Sequence, residues 1–317
     1  VPAVAPQRDS DRLRGAALDW RCDGAGWPNA AASRFVEAGG LRWHVQDMGG
    51  GPALLLLHGT GASTHSWGGL APLLAPRFRV IAPDLPGHGF SAVGPHSSAS
   101  LPGMARACAA LVDALGAAPA LVVGHSAGAA ILARMCLDGA LAPRGLVSLN
   151  GALLPLRGLA GQIFGPAARL LATLPPVPRL FARRVVSRAL VERLIRDTGS
   201  RLPDEGVALY HRLLCSPGHV GAALRMMANW DLEGLARQLP QLAPPLFLVA
   251  CENDRTVPPS QARHLARLLA GARLQLVPGL GHLGHEEDPP RFAALIEQIA
   301  DQLGLAGSAP QDAQPGP

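Results

Sequence analysis

The sequence predicts an α/β fold: a mostly parallel central sheet covered by helices on both faces and interrupted by an inserted helical cap. Three observations lead there. Short apolar runs of strand length recur at residues 53–57, 79–82, 120–123, 146–149, 246–250 and 274–277. Amphipathic stretches at 101–115, 127–137, 260–269 and 290–303 separate most of them, and strands alternating with helices close up as a parallel sheet buried on both sides. After Asn150 roughly ninety residues pass before the next strand pattern, rich in Leu, Arg and Pro and carrying helical periodicity, which reads as a cap.

Taken in order, residues 1–30 are expected to be loose. Residues 34–36 and 41–47 flank Gly39-Gly40 and predict an antiparallel hairpin at the start of the sheet. Residues 31–150 and 231–303 form the core, 151–230 the cap, and the Gly-, Ala-, Gln- and Pro-rich stretch 304–317 a loose tail. Residues 114–133 are twenty uncharged positions, long enough to suggest a membrane span. Pro119, Gly124, His125, Ser126 and Gly128 interrupt that run, which resolves better into a buried strand, a tight turn and a helix.

Composition narrows the chemistry. With 317 residues, 48% hydrophobic and 16% charged, the chain is globular and long enough for a substantial core. All 28 basic residues are arginine, so a lysine Schiff base and a Walker-type phosphate loop are both excluded. The net charge of +5 comes without zinc-finger spacing, an RNP-type aromatic motif or a long basic run, which argues against a nucleic-acid partner. Residues 157–212 concentrate ten arginines against Glu192, Asp197, Asp204 and Glu205, so the cap is basic: either a solvated helix face or a surface for porphyrin carboxylates, an acidic partner or peripheral contact with an anionic membrane. Cys22, Cys108, Cys136, Cys215 and Cys251 are odd in number and widely spaced, which fits a reducing cytoplasm rather than a disulfide framework or zinc site. The first fourteen residues lack an apolar stretch of signal-peptide length.

The strongest motif is Gly124-His125-Ser126-Ala127-Gly128, directly after one predicted strand and directly before a helix. A nucleophile at such a turn needs small residues two positions to either side, because strand and helix must approach closely around it. Ser126 is therefore the candidate nucleophile. Gly59 and Thr60 follow strand 53–57, where the second half of an oxyanion hole belongs, with the N–H groups of Thr60 and Ala127 as donors. His282 follows strand 274–277 and is the candidate base, with His285 as competitor. Asp254, just past strand 246–250, keeps the order Ser, Asp, His and is preferred as the acid over Glu252 and Asp231. Asn150, one strand earlier, is neutral and could hold an imidazole only weakly. His125 is turned away from Ser126 by the elbow. It joins Gly59, Asn150, Met227 and Trp230 as a candidate pocket residue, although large apolar residues at the spacing of the last two are more often core. Asp84 to Gly89, reading D-L-P-G-H-G, is expected to be a structural turn beneath the site. His282, His285 and Glu286 match no metal-ligand spacing, so neither a metal nor a cofactor is assigned.

With these motifs in this order, residues 34–303 resemble the α/β-hydrolase superfamily. A closer resemblance is carried by Trp27-Pro28-Asn29, Arg34-Phe35-Val36-Glu37-Ala38-Gly39-Gly40-Leu41, Ser148-Leu149-Asn150-Gly151-Ala152-Leu153-Leu154-Pro155 and Met226-Met227-Ala228-Asn229-Trp230. These segments are similar to the magnesium-chelatase accessory proteins of phototrophic bacteria, BchO, associated with bacteriochlorophyll biosynthesis. The resemblance implies an α/β-hydrolase fold with a Ser-Asp-His triad. Two functions follow. One is hydrolysis of an ester or similar acyl bond in a small or tetrapyrrole-like substrate. The other is a non-catalytic role, binding a tetrapyrrole or assisting magnesium-chelatase subunits in the cytoplasm or at the inner membrane.

Overall fold

Six of the eight strands are joined by parallel pairings because the segments between them return the chain to the same sheet edge. The computed structural model describes residues 18–155 and 187–305. The strands are β1 (Ser33–Ala38), β2 (Leu41–Met48), β3 (Ala53–Leu57), β4 (Arg79–Pro83), β5 (Leu121–His125), β6 (Gly145–Leu149), β7 (Leu246–Cys251) and β8 (Arg273–Val277). Their spatial order is β1-β2-β4-β3-β5-β6-β7-β8. β1 pairs antiparallel with β2 and β2 with β4, and every later pairing is parallel. The predicted hairpin is present: Gly39 and Gly40 have φ of 58° and 76°, the positive values a tight two-residue turn requires.

Side chains alternate between two cores. Leu55 and Leu57 pack with helices α1 (Leu101–Ala114) and α2 (Ala127–Leu137) on one face. Leu54 and Leu56 pack with Trp67, Phe78 and the Phe292, Ile296 and Ile299 side chains of the last helix on the other. Each such buried side chain contributes about 1.5–3 kcal/mol relative to exposure, which is what holds the sheet between its helices. The 114–133 run is the end of α1, strand β5 and most of α2, and among the described residues no helix is long and apolar enough to cross a membrane.

Within the cap interval the described residues form helices α3 (Arg188–Asp197), α4 (Asp204–Leu214) and α5 (Pro217–Ala228). Residues 156–186, with five of the cap's eleven arginines, lie outside the described residues. After the cap come α6 (Pro259–Leu268) and α7 (Pro289–Gln302). The expectation of a loose start is corrected for residues 18–30. Trp27 is buried and donates through Nε1 to Thr64 Oγ1 at 3.0 Å, and Trp20 packs edge-on against Phe35 and Phe90. Residues 1–17 lie outside the described residues, as do 306–317 of the expected tail, whereas Leu305 is buried against the second core.

Candidate active site

The register brings the carboxyl ends of β3, β5, β6, β7 and β8 to one edge, the edge where ligands bind in open parallel sheets. Ser126 stands there at φ 51° and ψ −116°, between β5 and α2. A non-glycine residue held at positive φ stores strain and needs a surround that enforces it. Here that surround is steric. A Cβ on Gly124 would lie 2.4 Å from Ala129 N, and one on Gly128 would lie 2.1 Å from the Leu57 carbonyl oxygen. Ser126 is the single residue of 121–133 that is not fully buried.

Gly59 presses on the same turn, since a Cβ there would meet Ser126 Cβ at 3.0 Å. The loop bearing Thr60 is thus fixed against the elbow. His58 behind it donates from Nδ1 to the Gly59 carbonyl at 2.8 Å and accepts from Leu85 N–H at Nε2 at 2.9 Å. Burial lowers its pKa, in keeping with that neutral tautomer.

His282 and Asp254 are brought together. His282 Nδ1 donates to Asp254 Oδ2 at 2.7 Å, with the carboxylate side chain fully buried and the imidazole nearly so. Asp254 Oδ1 accepts from Thr256 and Val257 N–H at 2.7 and 2.9 Å, which orients the other oxygen toward the ring. The alternative acids are elsewhere: Glu252 is exposed beside Arg263, and Asp231 is exposed and accepts from Glu233 N–H. Among the described residues no hydrogen bond joins Ser126 Oγ to His282, a contact that commonly tightens only around substrate.

The candidate pocket residues separate. His125 and Asn150 are buried and turn to the loop bearing His282, donating from Nε2 and Nδ2 to its carbonyl oxygen at 2.9 and 2.8 Å. Both therefore support that loop, and Asn150 also lines a small cavity with Ser148, Gly151 and Val257. Trp230 is partly buried against the first core and Met227 is half-buried. The neighbouring Met226, fully buried, accepts from the Thr60 hydroxyl through Sδ at 3.4 Å. The competing His285 is buried, with Nε2 2.8 Å from Ser66 Oγ and its ring 4.4 Å from that of His125, while Asp254 pairs with His282.

Asp84 ties the turn beneath the site together, accepting from Thr64 N–H, Phe90 N–H and His44 Nδ1 at 2.6, 2.9 and 2.8 Å. Burial raises its pKa, but the charge and hydrogen bond of His44 outweigh that and hold the carboxyl below the usual range. Among the described residues no three His, Cys, Asp or Glu side chains cluster as a metal site. Thr198, Ser200 and His219 of the cap also reach these loops. Sequence reasoning passed over all three, since a serine or histidine on a cap segment has no motif to mark it.

The Alpha/beta hydrolase family profile matches residues 54–295. The chain belongs to that family, and its fold is the one the family defines. Among relatives it is similar to the Magnesium-chelatase 30 kDa subunit of Rhodobacter capsulatus, 43% identical over 281 residues that cover 88% of this chain and 98% of that one. The resemblance to BchO read from the motifs is borne out at that level. It is also similar to Pyrrolizixenacetamide deacetylase of Xenorhabdus hominickii, 29% identical over 79% of this chain and 91% of that one. Among solved structures, an alpha/beta hydrolase fold protein from Burkholderia ambifaria superposes with a TM-score of 0.70 at 27% identity, covering 84% of this chain and 97% of that one.

Proposed function

We propose that the chain is a serine hydrolase of an ester or similar acyl bond, acting in magnesium-tetrapyrrole metabolism. The observation that carries this reading is the 2.7 Å bond from His282 Nδ1 to Asp254 Oδ2, on the sheet edge that also bears the strained Ser126. With Nδ1 protonated, Nε2 keeps its lone pair and takes the Ser126 hydroxyl proton as Oγ attacks the carbonyl carbon. The N–H groups of Thr60 and Ala127 receive the developing oxyanion, each such donor being worth about 10²- to 10³-fold in rate. His282 then passes its proton to the leaving group, and a water deprotonated by the same base releases the acyl group from Ser126. An aspartate nucleophile, as carbon–halogen or epoxide chemistry in this fold would use, is absent from the elbow.

The pathway rests on the 43% identical relative, whose name makes it a chelatase subunit. That name also favours a second reading, in which this chain assists chelatase subunits or holds a tetrapyrrole without turnover. A fluorophosphonate probe read by intact mass separates the two, since it needs only an activated serine and a formed oxyanion hole. One adduct per chain, lost in Ser126→Ala and His282→Ala, supports the hydrolase. An unlabelled, folded protein whose site admits small ligands leaves the accessory role.

A further inference from the structure

The cap does more than lie over the sheet edge. Residues 198–200 wedge between the loop bearing Asp254 and the loop bearing His282. The carbonyl of Thr198 accepts from Arg255 N–H at 3.1 Å and from His282 N–H at 3.4 Å. Ser200, fully buried, accepts from Leu283 N–H through Oγ at 2.8 Å. Between them Gly199, at φ 89°, has no room for a side chain, because a Cβ would lie 1.9 Å from the Asn253 carbonyl oxygen. Gly281 is equally confined, its own Cβ position falling 2.3 Å from Gly199 C. Glu287 closes the wedge from below, accepting from Gly281 N–H and Arg201 N–H at 2.9 and 3.1 Å.

A second cap residue reaches the oxyanion loop. His219 of α5, buried, donates from Nε2 to the Gly61 carbonyl at 3.0 Å and accepts from Gly89 N–H at Nδ1 at 3.0 Å. The Gly61 carbonyl adjoins the residue whose N–H is the proposed oxyanion donor, so the imidazole pins that peptide chain to the D-L-P-G-H-G turn.

We infer that residues 198–219 of the cap are a brace that assembles the site: the 198–200 wedge sets the spacing of the acid and base loops, and His219 sets the oxyanion loop. Ser200 and His219 are then positioning residues, and any ligand or partner that shifts this part of the cap switches all three loops together. The inference rests on the reading of Ser126, Asp254 and His282 as the site.

The test uses the full chain with Ser200→Ala, His219→Gln and His219→Asn, each checked for a cooperative thermal transition. Fluorophosphonate labelling rates and amide hydrogen exchange are read together. Ser200→Ala is expected to raise exchange at 253–255 and 281–283 and to slow labelling by about 10- to 100-fold, the cost of a small misplacement of reacting groups. Glutamine places an N–H near Nε2 and keeps the bond to Gly61, whereas asparagine places an acceptor near Nδ1 and keeps only the bond to Gly89. The glutamine variant is therefore expected to label within about 3-fold of the parent and the asparagine variant to fall about 10-fold or more. Mere packing would depress both alike. Unchanged exchange in Ser200→Ala, or equal losses in the two His219 variants, would overturn the brace. If the parent chain does not label, the hydrolase reading fails instead, and exchange at 59–62, 253–255 and 281–283 decides the brace by itself.

Discussion

Asn150 Nδ2 donates to the main-chain carbonyl of His282 at 2.8 Å, and the same amide nitrogen reaches the Gly281 carbonyl at 3.1 Å while Oδ1 accepts from Cys251 N–H at 2.8 Å. A neutral amide is what this position needs, because it must give to two carbonyls and take from one N–H. Asn150 also sits at φ 46°, a conformation asparagine tolerates better than most residues. Asn150→Ala leaves the buried Cys251 N–H without its acceptor, takes one of two donors from each of the Gly281 and His282 carbonyls, and adds backbone strain. It is expected to destabilise the fold by about 2–4 kcal/mol. Asn150→Asp sets a carboxylate against two carbonyl oxygens and is expected to lose less stability at about pH 6.5 than at about pH 8, since the protonated acid can donate where the carboxylate cannot. Urea titrations at two pH values check both.

Gly128 and Gly234 should respond oppositely to alanine. At Gly128 the added methyl would lie 2.1 Å from a strand carbonyl oxygen, in a place where neither strand nor helix can retreat. Gly128→Ala is expected to cost about 4 kcal/mol or more and to leave little folded protein. Gly234, in the short helix Glu233–Gln238, has nothing within 4 Å of a Cβ position. Gly234→Ala is expected to stabilise by up to about 1 kcal/mol through helix propensity. Melting temperatures of the pair decide.

Most of the fold could be read from the chain because strand, turn and helix each leave a local trace. The apolar runs mark every parallel strand to within two residues, and Gly124, Gly128, Gly39 and Gly40 stand where a side chain or a negative φ will not fit. The juxtaposition of His282 with Asp254 was legible as chain order. What stayed hidden depends on residues distant in sequence. Nothing local to His125 and Asn150 shows that they share the His282 carbonyl, and Trp27 looks like a loose terminus until Thr64 meets it. His219 and Ser200 act through main-chain atoms of loops that precede or follow them by many residues, and no periodicity records that.

The buried histidines predict an acid-labile fold. Burial chiefly pushes His65 and His285 down to about 3 and His219 to about 4, and holds His88 and His125 well below the ordinary value. As pH falls below 6.5 the unfolded chain binds protons that these five refuse, so stability drops. At about pH 5.5 each costs on the order of 1 kcal/mol, so together they cost several kcal/mol. Glu286 opposes them. Burial raises it to about 7 despite its bonds to Ser66 and Tyr210, so between 4.5 and 7 the folded chain binds the extra proton and gains about 2 kcal/mol by pH 5.5. The net loss, a few kcal/mol, approaches the lower end of a domain's whole stability. Unfolding followed by circular dichroism is expected with a midpoint between about pH 4.5 and 6. Retention of the native spectrum at pH 4 would refute the assignment of these imidazoles as neutral.

Asp254 can be set against its rivals by charge removal alone. Asp254→Asn preserves shape, but the amide nitrogen turned to the ring would force His282 to protonate at Nε2 instead, and that nitrogen could no longer take the serine proton. Fluorophosphonate labelling is expected to slow by about 10³- to 10⁴-fold. Glu252→Gln and Asp231→Asn alter exposed side chains whose contacts are with Arg263 and Glu233 N–H, so each should label within about 2-fold of the parent, as surface charges in high dielectric have little reach. Labelling that survives Asp254→Asn and fails in Glu252→Gln would move the acid one turn earlier on the same loop. The His282–Asp254 hydrogen bond would then be structural, with the catalytic reading of the whole edge to be rebuilt around Glu252.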